Sequence, residues 1–149
     1  MDLLQLQKNF ATINAWEILQ PIIVKNLKRV EELNRKQLLK GDMSDGTSRH
    51  HSKSEMSEIY IEDKISRGVY DQSIYPAMNF YNEGDFHKGI KAQMDLFGIE
   101  IESLDSKAKE LEQEYGSVLY GLTDDSLKEL LEPIIPEYIQ SLFLELSKG

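Results

Sequence analysis

The residues with the clearest capacity for chemistry are two aspartates and two histidines in one polar segment. This segment, "GDMSDGTSRHHSKSEMS" (residues 41–57), carries Asp42, Asp45, His50 and His51. Carboxylate oxygens and imidazole nitrogens are common ligands of divalent cations. The spacing departs from a calcium-binding loop, because other residue types fall where that loop needs carboxylates. Adjacent histidines also point to different sides of a regular element. We therefore interpret 41–57 as a polar, mobile loop and predict no metal site.

The third histidine lies in "GDFHKG", residues 84–89, between two glycines. A nucleotide-binding loop needs a lysine and a hydroxyl residue directly after its last glycine, and this segment has neither. We predict instead that Gly84 supplies a turn and that Gly89 allows a close backbone approach or a bulge. His87 has no nucleophile at a recognisable spacing, so we interpret it as a histidine on the surface of a strand. The sequence therefore predicts no catalytic residue, no cofactor and no enzymatic activity.

The composition is typical of one globular domain spanning residues 1–149. The net charge is −9 and cysteine is absent, which excludes disulfide frameworks and cysteine nucleophiles. An acidic surface repels phosphates and anionic lipid headgroups, so we expect neither a tight grip on nucleic acid nor membrane binding. No apolar run approaches the roughly 20 residues that cross a bilayer. The beginning, "MDLLQLQKNF", lacks the pattern of a signal peptide.

The N-terminal part of the chain is predicted to form helices. "DLLQLQKNF" predicts a short first helix. Asn14 can cap a long second helix, because its side-chain oxygen can accept a hydrogen bond from a first-turn amide. Pro21 is expected to bend or restart this helix, and Gly41 is a suitable C-cap. The apolar residues along it recur at steps of three or four: Trp16, Leu19, Ile23, Leu27 and Val30.

A β-hairpin is predicted at about residues 86–102. Apolar residues alternate on both sides of "MDLFG", which is typical of the turn of a hairpin. The buried face of this hairpin is predicted to consist of Phe86, Ile90, Ile99 and Ile101. A lone hairpin is only marginally stable, so this face needs a helix to cover it.

The last segment has the strongest helical periodicity in the chain. Thr123 is predicted to cap it, and Pro133 and Pro136 predict a kink or two helices in tandem. The stripe predicted to cover the sheet consists of Leu127, Leu130, Leu131, Ile134, Tyr138 and Leu142. The predicted fold class is therefore α+β, with a long N-terminal helix and C-terminal helices packed on a small antiparallel sheet.

The order of these elements, over roughly residues 30–140, resembles the virion-morphogenesis or tail-completion family of tailed bacteriophages. These are small neck proteins that connect head and tail. The family has a glycine–aromatic turn followed by Gly-Ile or Ser-Ile, which corresponds here to Gly84, Phe86, Gly89 and Ile90. It continues with an apolar strand ending in serine, a helix containing alanine, and a Gly-Leu-Ser/Thr step before the last helix. The matching residues are Ile99, Ile101, Ser103, Ala108, Gly116, Gly121, Leu122 and Thr123.

This resemblance implies a structural protein of the virion that is made in the host cytoplasm. It implies a ring of six or twelve copies around the DNA channel, in contact with other phage head, neck and tail proteins. DNA would pass through such a ring without being held, because an acidic bore offers phosphates no counter-charge. Edge strands would complete sheets in neighbouring subunits, and the loop at 41–57 would order on assembly.

Two other classes of function stay open at this point. One is a soluble acidic helical adapter or regulatory protein that binds a basic partner. The other is a metal-dependent hydrolase built on Asp42, Asp45, His50 and His51.

Overall fold

The structure, a computed structural model, describes residues 2–51, 53–96 and 98–148. Within these ranges the chain forms helices and a two-stranded antiparallel sheet, which confirms the predicted α+β class. The elements are α1 (Leu3–Thr12), α2 (Ala15–Lys25), α3 (Leu27–Leu39), α4 (Glu55–Ser66), α5 (Asp85–Gly89), β1 (Ile90–Asp95), β2 (Gly98–Ser103), α6 (Ala108–Tyr115) and α7 (Asp124–Ser147). Ser52 of the predicted loop and Phe97 of the predicted hairpin turn lie outside the described residues, as do Met1 and Gly149.

The predicted long N-terminal helix is divided into α2 and α3. Asn14 caps α2 as predicted, and its Oδ1 accepts a hydrogen bond from the amide of Trp16 at 3.1 Å. Pro21 stays inside α2, and the division comes later, at Asn26. The side-chain amide of Asn26 donates to the carbonyl of Ile22 at 2.7 Å, so it competes with the backbone bonds that would continue the helix.

The hairpin begins later than predicted, because residues 85–89 form the short helix α5. Gly84 precedes this helix at φ +92°, a conformation that residues with a Cβ adopt only at a cost. Phe86 and Ile90 are both buried, as predicted, but Phe86 belongs to a helix. Positions four apart share one face in a helix and also in a strand, so the apolar pattern did not distinguish them.

The face of the hairpin that was predicted to be buried is fully buried only where β1 begins, at Ile90. In the antiparallel register, Ile90 pairs with Ser103, Ala92 with Ile101, and Met94 with Ile99. Ile90 is fully buried and Ile101 is half-buried, whereas Ile99 is 38% exposed. The predicted burial of Ile99 is therefore wrong. Helix α3 lies across β1, and Leu96 at the far end of the hairpin is 94% exposed.

Two apolar clusters form the core, and α3 contributes to both. The first contains Leu38, Met43, Phe86, Ile90, Ala108 and Leu119. The second contains Ile22, Val30, Leu33, Leu130 and Ile134, with Ala92 and Ile101 packed against it. Helix α3 thus covers β1 directly, while α7 packs mainly on α1, α2 and α3. The predicted roof over the sheet is supplied largely by α3 and not by α7.

Helix α7 is a single helix, so the alternative of two helices in tandem is wrong. The Oγ1 of Thr123 accepts from the amide of Ser126 at 3.2 Å, which is the predicted cap. Pro133 and Pro136 both lie on the exposed side. Proline has no amide hydrogen, so the carbonyl four residues before each proline loses its donor. On the exposed side, water can take the place of that donor, and the helix continues.

The predicted stripe on α7 is only partly buried. Leu130 and Ile134 are 5% and 3% exposed, whereas Leu127 is 43% exposed and was wrongly assigned to the packing face. The remaining predicted positions, Leu131, Tyr138 and Leu142, are half-buried.

Candidate functional site

Two of the four residues considered for a metal site, Asp45 and His50, have local structural roles. The Oδ1 of Asp45 accepts from the hydroxyl and the amide of Thr47 at 2.6 and 3.0 Å, and these bonds lower the pKa of Asp45. His50 forms an isolated β-bridge with Ala77. Across residues 2–51, 53–96 and 98–148, no three His, Asp or Glu side chains are grouped so that they could hold a metal ion.

The predicted loop at 41–57 contains one buried anchor that the sequence did not indicate. Met43 is fully buried in the first apolar cluster. Its neighbour Ser44 donates its amide to the carbonyl of Val118 at 2.9 Å. Helix α4 then occupies the end of this segment from Glu55 onward.

His87 is buried in α5, so its assignment to a strand surface is wrong. Its Nε2–H donates to the carbonyl of Asn79 at 2.8 Å, which leaves Nδ1 buried without a hydrogen-bond partner. Burial lowers the pKa of His87, because the imidazolium form would lose its hydration. The neutral ring is therefore the form that this position favours.

A polar cluster around a buried lysine was not predicted from the sequence. Lys64 on α4 is 1% exposed, and its Nζ donates to Oδ1 of Asn79 at 2.6 Å. The same Nζ lies 5.4 and 5.3 Å from the ring centroids of Tyr60 and Tyr70, a distance at which aromatic faces attract cations. The ring of His51 packs edge-on against both tyrosines, with centroids 6.1 Å away. We call Lys64, Asn79, Tyr60, Tyr70 and His51 the lysine chamber.

The charge in the lysine chamber is not compensated. Among the ion pairs of the described residues, none includes Lys64. Burial, aided by the nearby charge of Arg67, lowers the pKa of Lys64 to about 8. Its ammonium is almost fully enclosed, so an external substrate has no access to it in this conformation. The chamber is thus unsuited to acting on an external substrate.

Asn79 holds a strained segment next to the chamber. Its side chain donates to the carbonyl of Val69 at 2.8 Å and accepts from the amide of Tyr81 at 3.1 Å. Phe80, between them, has φ +57°, which is unusual for a bulky residue. The ring of Phe80 packs edge-on against Tyr115 of α6 with centroids 5.0 Å apart.

A second candidate site is an exposed apolar surface. Ile135, Ile139 and Phe143 follow one another at every fourth position of α7 and are 49%, 46% and 64% exposed. We call these three residues the outer α7 face. Helix α1 lies at the C-terminal end of α7, where the side chain of Asn9 donates to the carbonyl of Leu146 at 2.8 Å. No residue of α1 is buried, and its most exposed apolar residues are Leu3, Leu4 and Phe10.

The two edges of the sheet differ. At β1, the amide of Ala92 donates to Glu31 at 3.0 Å, and the carbonyl of Ile90 accepts from Arg35 at 2.6 Å. These α3 side chains occupy backbone groups that a further strand would need. The outer edge of β2 has no strand partner within the described parts of the chain. Within the described residues, strand addition at the β1 edge would have to displace these two α3 side chains.

Helices that could span a membrane were sought in the described residues, and none is both long and apolar enough. Compared with known protein families, curated proteins and solved structures, the chain gives no match.

Proposed function

We propose that this chain is a non-enzymatic structural subunit of a tailed-phage particle, a neck, head–tail connector or tail-completion protein that assembles as a ring. The resemblance of residues 84–90 and 99–123 to that family motivates the phage assignment. The observation that carries the assembly is the outer α7 face. Its three apolar side chains keep 46–64% of their surface exposed.

The spacing of the outer α7 face favours a protein partner. Ile135, Ile139 and Phe143 form a continuous ridge, because residues four apart lie above one another on a helix. Single exposed apolar residues are ordinary on a protein surface, but a contiguous patch is typical of an interaction site. A ridge of this kind packs into a groove on another helix or helix pair.

The open edge of β2 allows a head-to-tail arrangement. A free strand edge on one subunit can pair with a strand or extended segment of the next. The α3 side chains at the β1 edge hinder strand pairing there, and a β2 edge that pairs with a segment other than β2 of the next subunit would join two different surfaces. Contacts between two different surfaces generate closed rings when the rotation between subunits closes.

The charge of the chain suits a passage for DNA. The net charge is −9, and several cations are paired with acids, among them Arg29 and Lys36 with Glu129. Phosphates therefore find few free counter-charges on these helices, and DNA would slide past without being held.

The test is the mass of the purified chain, measured by native mass spectrometry and sedimentation. We expect a closed oligomer of six or twelve copies, either in the free protein or on isolated particles. Ile139→Asp places a charge in the outer α7 face and should yield monomers. The matched control is Gln140→Asp, which adds the same charge at the adjacent exposed position and should leave the oligomer intact.

Two results would contradict the proposal. One is a chain that stays monomeric at every concentration and is absent from purified virions. The other is an Ile139→Asp variant that assembles as the unchanged chain does. A chain that stays monomeric and binds a basic protein would instead support the alternative function, an acidic adapter or regulatory protein.

A further inference from the structure

We propose that the protonation state of the lysine chamber controls the docking of helix α4 through Lys64. Helix α4 stays docked when the chamber loses positive charge and undocks when the chamber gains positive charge. We call this device the latch. The inference is independent of the ring assembly, because all the groups involved lie within one chain. It rests on how α4 is attached and on which charges surround Lys64.

Helix α4 buries few side chains, and one of them is charged. Only two of its side chains are buried, Ile61 at 4% and Lys64 at 1% exposure. Three of its other large side chains, Met56, Ile59 and Tyr60, are at least 40% exposed, and Ile65 is half-buried. A buried cation without a paired acid opposes docking, because it has lost its hydration. The docking of α4 therefore depends in part on the protonation state of one of its two fully buried side chains.

The groups around Lys64 come from every element packed on the chamber. Those that are or can become positively charged are Arg67 on α4, His51 before α4, His87 on α5 and, beyond His87, Arg35 on α3. The tyrosines are Tyr60 and Tyr70. Two acids beside these cations are already engaged: Asp63 pairs with Arg67 at 3.0 Å and Glu31 with Arg35 at 3.5 Å. A third acid, Asp71, lies near Tyr70 and accepts a hydrogen bond from the amide of Ser73 at 2.9 Å. Protonation in the chamber therefore adds charge to an already positive environment.

The direction of the response follows from the lowered pKa values. The pKa of Lys64 falls to about 8, so the amine is neutral in mild alkali and charged below that pH. The pKa values of His51 and His87 are lowered by burial and by the charge of Lys64. Acidification thus charges first the lysine and then the imidazoles. Each added proton disfavours the closed chamber.

Release of Lys64 would also free the strained segment beside it. The Oδ1 of Asn79 accepts from both Lys64 and the amide of Tyr81, so it couples α4 to the chain on either side of Phe80. Phe80 could then leave its positive φ and shift against Tyr115. Opening of α4 is therefore expected to be transmitted to the surface of α6.

Amide hydrogen exchange of the full chain tests the latch. Exchange rates are measured between pH 9 and pH 5.5 and corrected for the intrinsic pH dependence of exchange, with α3 amides as the internal reference. We expect the protection of α4 amides to fall at least about tenfold relative to α3 on acidification, since one pKa unit corresponds to a factor of ten. In Lys64→Met, which keeps the length and loses the charge, most of this pH dependence should vanish.

Lys109→Met is the matched control, because Lys109 is an exposed lysine on α6. It should keep the pH dependence of the unchanged chain. If Lys64→Met does not fold, the side-chain NMR titration of Lys64 in the unchanged chain decides, since its midpoint must coincide with the first loss of α4 protection. Constant α4 protection across the range, or an unchanged pH dependence in Lys64→Met, would overturn the latch.

Discussion

The carboxylate of Glu31 on α3 accepts a hydrogen bond from the backbone amide of Ala92 in β1 at 3.0 Å. A helix side chain thereby takes the place of a neighbouring strand. Arg35, one helical turn later, pairs with Glu31 at 3.5 Å and donates to the carbonyls of His87 and Ile90 at 2.6 Å each. This pair ties α3 to β1 and occupies two backbone groups at the β1 edge.

Glu31→Ala is expected to destabilise the fold by about 1–3 kcal/mol, because it leaves the half-buried amide of Ala92 without its side-chain partner and removes the partner of Arg35. The measurement is the free energy of unfolding from urea denaturation. Glu32→Ala serves as the control, since Glu32 is exposed and lies 3.9 Å from Arg29. Equal effects of the two substitutions would show that the edge of β1 does not depend on Glu31.

Leu130→Ala and Leu127→Ala form a matched pair on α7. Leu130 is buried, so its truncation should cost about 2–5 kcal/mol, the range for cavities in packed cores. Leu127 is 43% exposed, and its truncation should cost about 0.5 kcal/mol or less. The same urea experiment measures both. A larger loss for Leu127→Ala would mean that the stripe is rotated relative to the contacts described.

Gly89→Ala is expected to destabilise the junction between α5 and β1. A Cβ at this position would lie 2.6 Å from the Oγ of Ser103 and 2.9 Å from the amide nitrogen of Asp105, and a backbone atom cannot yield cheaply. The expected cost is about 1–3 kcal/mol, as for overpacked cores. Thermal unfolding followed by circular dichroism would detect it, and an unchanged midpoint would contradict the close approach.

The stability of the fold should rise between pH 8 and pH 10. The folded chain holds the pKa of Lys64 at about 8, below its ordinary 10.5, so the unfolded chain binds more protons in this window. The gain should approach about 3 kcal/mol, at 1.36 kcal/mol for each pKa unit. Above pH 10 it should reverse, because burial raises the pKa values of Tyr60 and Tyr70.

Urea titrations at several pH values measure this dependence, and Lys64→Met should abolish the rise in stability. If the free energy of unfolding of the unchanged chain is constant from pH 8 to pH 10, the fold does not lower the pKa of Lys64, and this prediction is wrong.

Below pH 6.5 a further loss of stability is expected. Burial lowers the pKa values of His51 and His87, so the unfolded chain takes up protons that the folded chain does not.

Features that depend on a few consecutive residues were predictable. Asn14 and Thr123 cap their helices with their own side chains. Gly41 ends α3 at φ +85°, where Asp42 donates its amide to Gln37 at 2.9 Å. The pairing of the hairpin beyond Ile90 also follows from local alternation. Each of these arises from chemistry that a side chain performs on its own backbone or on that of close neighbours.

Features that depend on distant segments were not predictable. Phe86 and Ile90 fit a strand and a helix equally well, and the packing of α5 against the rest of the fold decides between them. The choice of α3 as the cover of the sheet depends on Glu31 and Arg35, whose partners lie more than fifty residues away.

By itself, the sequence determined the caps, the alternation of the hairpin and the apolar arc of α7, because these depend on neighbours along the chain. Only the tertiary structure decided that Lys64 is enclosed between Asn79 and two tyrosine rings, and that half of the α7 arc stays exposed. A lysine in a polar, amphipathic segment normally faces water. Its burial is set by the rings and the carbonyl oxygen that surround it in space, which no local pattern encodes.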